Sequence, residues 1–161
     1  MKFCINTMKK SQIKIDFENF TPQKSLNKAV FAKYLPRAEK ILQQEGLKNI
    51  SGRIGLSLVD DDTIRKINKN YRKKDVPTDV VSLSYTENAC NKAVSFPVDD
   101  LIGEIFISVD TAKKQAGEYG WSFKEELIFL FVHGLLHVFG FDHLNDRDKK
   151  VMFAMQDKIL K

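Results

Sequence analysis

The sequence predicts an α+β fold, α/β-like in the way its elements alternate: a single domain with a small sheet of about four strands packed against several helices. Three observations lead there. Four short apolar or alternating stretches read as strands. Segments with helical periodicity fill the intervals between them. At 161 residues with 43% hydrophobic content, the chain is long enough for one core and short for two. The expected organisation is a loose extension over residues 1–12 followed by one domain over residues 13–161.

Residues 13–17 alternate Ile, Lys, Ile, Asp, Phe as a half-buried strand does, and Thr21-Pro22 ends the run. From Ser25 to Glu45, Leu26, Ala29, Val30, Tyr34, Leu35, Ala38, Ile41 and Leu42 recur at helical spacing around Pro36. A proline in mid-helix costs about 3 kcal/mol but nothing in a first turn, so two short helices are expected rather than one. Arg53 to Val59 gives the second strand. Asp60, Asp61 and Asp62 then cap a helix with Ile64, Ile67 and Tyr71 as its buried stripe. A turn over Asp75 to Asp79 leads to a third strand, Val80 to Tyr85, and aperiodic residues 86–100 read as a surface loop. Leu101 to Val109 is the fourth strand, and Asp110 caps a short helix that stops near Gly120. Ser122 and Glu125 form a capping box in front of a strongly apolar helix. A final helix begins at Asn145 to Asp148 and turns Val151, Met152, Met155 and Ile159 inward.

Composition excludes several classes. The apolar run Leu127 to Phe139 is shorter than the roughly 20 residues that span a bilayer, so no membrane association is expected. The N-terminal residues lack an apolar stretch of signal-peptide length, which argues against secretion. Cys4 and Cys90 lie far apart without ligand spacing and read as free thiols in a reducing compartment. The net charge of +5 is concentrated: Arg65, Lys66, Lys69, Arg72, Lys73 and Lys74 fall between Ile64 and Lys74 with no acid among them. Such a cluster suits a phosphate backbone, although a charge run is also an ordinary solvated helix face.

All three histidines of the chain lie in one stretch, His133-x3-His137-x2-Gly140-x2-His143. On a helix, His133 and His137 project from one face one turn apart. Glycine closes a helix in the left-handed conformation, so Gly140 lets the chain double back and bring His143 to the same point. Three neutral imidazoles are a ligand set for a divalent metal such as zinc, and three protein ligands leave a fourth position open, the catalytic arrangement. The spacing is that of metzincin peptidases, but their general-base glutamate follows the first histidine, where this chain has Gly134. That departure counts against peptide hydrolysis. Asp142 either orients a histidine or caps the turn.

Two separated blocks resemble the YbeY family of bacterial and organellar endoribonucleases. One runs Ile67-Asn-Lys-Asn-Tyr71-Arg72-Lys-Lys-Asp75-Val-Pro77-Thr78-Asp79-Val-Val-Ser82; the other is the histidine block. Between them, Leu101-Ile-Gly103-Glu104-Ile105 is similar to the family's Leu-Gly-Asp-Ile strand, with Glu104 in place of the aspartate. Val81-Ser82-Leu83-Ser84 departs from the usual Leu-Ser-Phe-Pro. The resemblance implies that His133, His137 and His143 hold one zinc ion per chain and that Arg72 is the basic residue placed beside it. It also makes Gly134 the expected residue.

The resulting expectation is a zinc-dependent, single-strand-specific endoribonuclease of the cytoplasm, with ribosomal RNA and ribosomal particles as partners. Its role would be in ribosomal RNA maturation and ribosome biogenesis, by resemblance at the 3′ end of 16S rRNA. Arg72 would clamp the scissile phosphate, with metal-bound water as nucleophile or as activator of a 2′-hydroxyl. Arg65, Lys69, Lys73 and Lys74 would bind backbone without reading sequence. The rival is a ribosome-assembly binding factor whose metal is mainly structural and whose nuclease activity is slight.

Overall fold

The computed structural model describes residues 12–48, 50–86 and 100–161. Among these, four strands form one mixed sheet: β1 (Ile13–Asn19), β2 (Gly52–Val59), β3 (Val80–Ser84) and β4 (Leu101–Ser108). The order across the sheet is β1-β2-β4-β3, with β1, β2 and β4 parallel and β3 antiparallel to β4 at one edge. Six helices accompany it: α1 (Lys28–Ala32), α2 (Leu35–Gln44), α3 (Asp61–Arg72), α4 (Val109–Tyr119), α5 (Phe123–Val138) and α6 (Asp146–Leu160). The predicted α+β class and strand count hold.

β1 and β2 alternate cleanly, so Ile13, Ile15, Ile54, Leu56 and Leu58 all face one side. On that side they meet Ile105 and Ile107 of β4, Phe31 of α1, Leu42 of α2 and the apolar residues of α5. α5 is buried on most of its circumference and lies directly against β3 and β4. Two glycines permit that approach. A Cβ on Gly134 would sit 2.9 Å from both Ile105 Cγ2 and Ser82 Oγ, and one on Gly103 would sit 2.5 Å from Val138 Cγ1. The opposite face is covered at β3 and β4 by α3, through Val59, Ile64 and Val81.

Pro36 is the second residue of α2, and the chain breaks between α1 and α2 because in one continuous helix its ring would meet the carbonyl four residues back and leave that carbonyl without a donor. Asp60 caps α3 by accepting from Thr63 N at 2.8 Å. Three expectations are corrected. The cap of α4 is Ser108, whose hydroxyl accepts from Thr111 N, while Asp110 lies in the first turn and accepts instead from Asp61 N. Tyr71 is 60% exposed, because Asn68 takes the inward place one turn after Ile64 and ties the following loop through Nδ2 to Val76 O. Val151 is exposed, and the inward face of α6 is Met152, Met155, Gln156 and Ile159. The extension expected at residues 1–12 (apart from Gln12), most of the loop at 86–100, and both cysteines lie outside the described residues.

Candidate metal centre

The site is built on α5. Ser122 Oγ accepts from Glu125 N at 3.2 Å while Glu125 Oε2 accepts from Ser122 N at 2.8 Å, the capping box read from the sequence. Beyond the last turn of α5, Gly140 reverses the chain at φ +85°. Gly140 N donates to His137 O and Phe141 N to Leu136 O, which satisfies the last carbonyls of the helix. Asp142 Oδ1 accepts from His143 N at 2.7 Å, and Asp142 lines the same cavity as the three histidines.

This reversal brings the ligand nitrogens of His133, His137 and His143 within 4.8 Å of one another. His133 Nε2 and His137 Nε2 are 3.1 Å apart. Two imidazoles bound to one zinc at tetrahedral angles would be about 3.3 Å apart, so the pair is set for a shared ion. The tautomer is fixed as well. Gln156 Nε2 donates to Phe129 O at 3.5 Å, which leaves Gln156 Oε1 to accept from His133 Nδ1 at 3.1 Å. The proton on Nδ1 leaves the Nε2 lone pair facing the common point. Burial lowers the pKa of His133, and it lowers that of His137 to about 4 with the neighbouring His133 as second cause. Both are neutral at pH 7, the form that binds metal.

The histidines line a cavity of about 630 Å³, with His133 and His137 partly buried and His143 exposed. Arg72 and Lys74 stand on its rim, Thr78 and Asp79 form one wall, and Phe129, Leu144 and Phe153 form another. Arg72 ends α3, and Lys73 reverses the chain in the left-handed conformation at φ +60°. The loop after it is tied down by Asn68 and by Asp75, which accepts from Arg65 Nε at 2.9 Å and Lys69 Nζ at 2.8 Å. Arg65 and Lys69 are thus paired to Asp75 and do not line the cavity, and Lys73 Nζ donates to Asn70 O. Among the described residues, Arg72 and Lys74 enter no ion pair.

Asp79 Oδ1 accepts from Val80 N at 2.7 Å and Oδ2 from Gln115 Nε2 at 3.1 Å. Two turns before His133, Glu126 is 1% exposed; burial, with Asp79 adding to it, raises its pKa to about 7. Sequence reasoning assigns no role at the site to Gln156, Asn68, Asp79 or Glu126. Gln156 and Asn68 carry one signal: each is a polar residue lying on an otherwise apolar helical stripe.

The family model described as Endoribonuclease YbeY matches residues 12–161. The chain belongs to the YbeY endoribonuclease family. An endoribonuclease YbeY of Bacillus pumilus is 44% identical over 132 residues, 78% of this chain and 83% of that protein. One of Lysinibacillus sphaericus is 42% identical over 151 residues, 91% of this chain and 92% of its relative. The solution structure of a Thermotoga maritima protein superposes with a TM-score of 0.57 at 27% identity, covering 92% of this chain and 86% of that one. As a YbeY endoribonuclease, the chain is an RNA-cleaving enzyme with a histidine triad able to hold a metal ion. No helix among the described residues is long and apolar enough to cross a membrane.

Proposed function

We propose that the chain is a zinc-dependent endoribonuclease specific for single-stranded regions, acting on ribosomal RNA and ribosomal particles in the cytoplasm during ribosome biogenesis, at the 3′ end of 16S rRNA among its targets. The carrying observation is the juxtaposition of three convergent histidine nitrogens with Arg72 and Lys74 on the rim of one cavity. His133, His137 and His143 would hold the ion, which when bound would supply Lewis acidity toward the scissile phosphate.

The chain's own residues do the rest. Arg72 offers a planar, permanently charged fork that grips two phosphoryl oxygens and gains strength as charge develops on them. Lys74 adds a second positive charge on the same rim. Lys73, Arg65 and Lys69 lie further out and add to the field that draws the strand in, without reading its sequence. Gln156 holds His133 in one orientation. Gly134 faces β3 and β4 rather than the cavity, so no side chain at that position could serve as a base.

The partial burial of His133 and His137 favours single strands, because a flexible backbone can bring a phosphate to them in the geometry needed for attack. Equal cleavage of a perfect duplex would sink this part. The main test is cleavage of ribosomal RNA by the purified, metal-quantified protein beside His137→Ala and Arg72→Ala. The expected outcome is one metal per parent chain and cleavage reduced by about 100-fold or more in both variants, each with the parent's circular dichroism. Equal background cleavage in all three would overturn the proposal.

A further inference from the structure

We propose that Trp121, with Tyr119 and Phe129, forms a stacking subsite for an unpaired base of the RNA strand whose phosphate lies at the histidines; this rests on the RNA-cleaving reading above. The three rings form a continuous path. Phe129 stacks alongside His133 with centroids 6.3 Å apart and planes inclined by 12°. Trp121 meets Phe129 edge to face at 5.3 Å, and Tyr119 lies 5.6 Å beyond Trp121. Trp121 is 44% exposed and Tyr119 59% exposed, so a large part of each ring surface faces solvent.

The path is rigid. Tyr119 is the last residue of α4, Gly120 turns the chain at φ +71°, Trp121 N donates to Ala116 O at 2.9 Å, and Ser122 caps α5. The indole therefore stands on two helix ends rather than on a free loop, and little ordering is left for a ligand to induce. Phe129 lines both the histidine cavity and an adjoining hollow of about 320 Å³ whose other lining residues are Tyr34, Trp121, Ile128, Leu160 and Glu125, the last held by Ser122 in the capping box. The two spaces share a wall.

Continuity with the cavity selects the occupant. Arg72 and Lys74 lie on the rim of the cavity and the aromatic path leaves from the Phe129 wall, so a strand crossing the site has cations for its backbone and ring faces for its bases. An aromatic face accepts any base, which makes the subsite tolerant of sequence. It does not accept a base pair, whose faces are already stacked in the duplex. Discrimination against duplex RNA thereby gains a second source besides the partial burial of His133 and His137.

Trp121 is the chain's single tryptophan, so its fluorescence reports on this subsite alone. The experiment titrates the full-length, metal-loaded protein with a short single-stranded RNA, the same strand with abasic sugars in place of bases, a perfect duplex, and inorganic phosphate. The intact single strand is expected to quench the tryptophan and the other three to leave it unchanged. In steady-state cleavage, Trp121→Ala is expected to raise KM about tenfold with kcat kept, and Trp121→Phe to recover most of that loss. Equal quenching by the abasic strand, or a parent-like KM in a folded Trp121→Ala protein, would overturn the subsite while cleavage by the parent left the nuclease reading standing. Base-dependent quenching without cleavage of any RNA would retain the subsite and remove the nuclease reading.

Discussion

At His133 the chemistry depends on Gln156, a residue of another helix. Gln156 is 1% exposed and accepts from the imidazole at Nδ1, which decides which nitrogen carries the proton. Replacing a partner of this kind typically weakens metal binding by about 10–100-fold, and that is the expected effect of Gln156→Ala, measured by competition with a chelator of known affinity. An unchanged affinity would show that the triad is oriented by packing alone. Glu126 makes a second residue-scale prediction. Its carboxyl keeps a proton up to about pH 7, whereas in the unfolded chain it loses that proton near 4.5. The stability it contributes is therefore complete below 4.5 and lost as pH rises through 7. A glutamine side chain in its place cannot ionise, so Glu126→Gln should gain on the parent by roughly 1–3 kcal/mol between the acid and alkaline ends of that window. Urea unfolding at both ends checks it, and parallel pH profiles for the two proteins would refute it.

The helix α5 is the element on which fold and site coincide, and Gly134 is where they are tightest. A methyl group there meets Ile105 and Ser82 at 2.9 Å, so Gly134→Ala must lift α5 from the sheet or displace β3. The expected cost is about 1–3 kcal/mol in unfolding free energy from denaturant titration, together with weaker metal binding because His133 is the adjacent residue. The start of this helix, its two histidines and its glycine turn are all readable in the sequence, because each depends on contacts within a few residues. What the sequence does not disclose is long-range. Val151 looks inward by spacing alone, yet α6 rotates so that Gln156 reaches His133 and Val151 faces solvent. Tyr71 loses its inward place to Asn68 for the same kind of reason, the hydrogen bond to Val76 O that holds the loop after α3. Arg65 and Lys69 look like free cations because the run from Ile64 to Lys74 has no acid, but Asp75 follows it immediately and the left-handed turn at Lys73 brings its carboxylate to both.

Across the whole molecule, the question is whether the metal holds the fold or the fold holds the metal. The core passes through α5 by way of Leu127, Phe131, Leu135 and Leu136, all 0% exposed, and these residues pack on the sheet without involving the imidazoles. The histidines sit on the edge of that core, His133 and His137 partly buried and His143 exposed. Removing the metal should therefore leave a folded, cooperative protein. Its unfolding temperature should fall, since a ligand present at about 100 times its Kd contributes about 2.7 kcal/mol, or roughly 5–10 °C for a chain of this size. The chelated form should also become acid-sensitive. Burial holds His137 neutral down to about pH 4, whereas in the unfolded state it takes up a proton near 6.5, so the stability it contributes is whole above 6.5 and lost as pH falls towards 4. Thermal unfolding followed by circular dichroism, with and without chelator and across that pH range, tests both halves. A native helical signal that survives chelation and returns to the parent's melting temperature on adding zinc fits an enzyme whose metal serves the reaction. Collapse of the helical signal on chelation would mean that the ion is part of the core, and would move the assignment to an assembly factor with a structural metal.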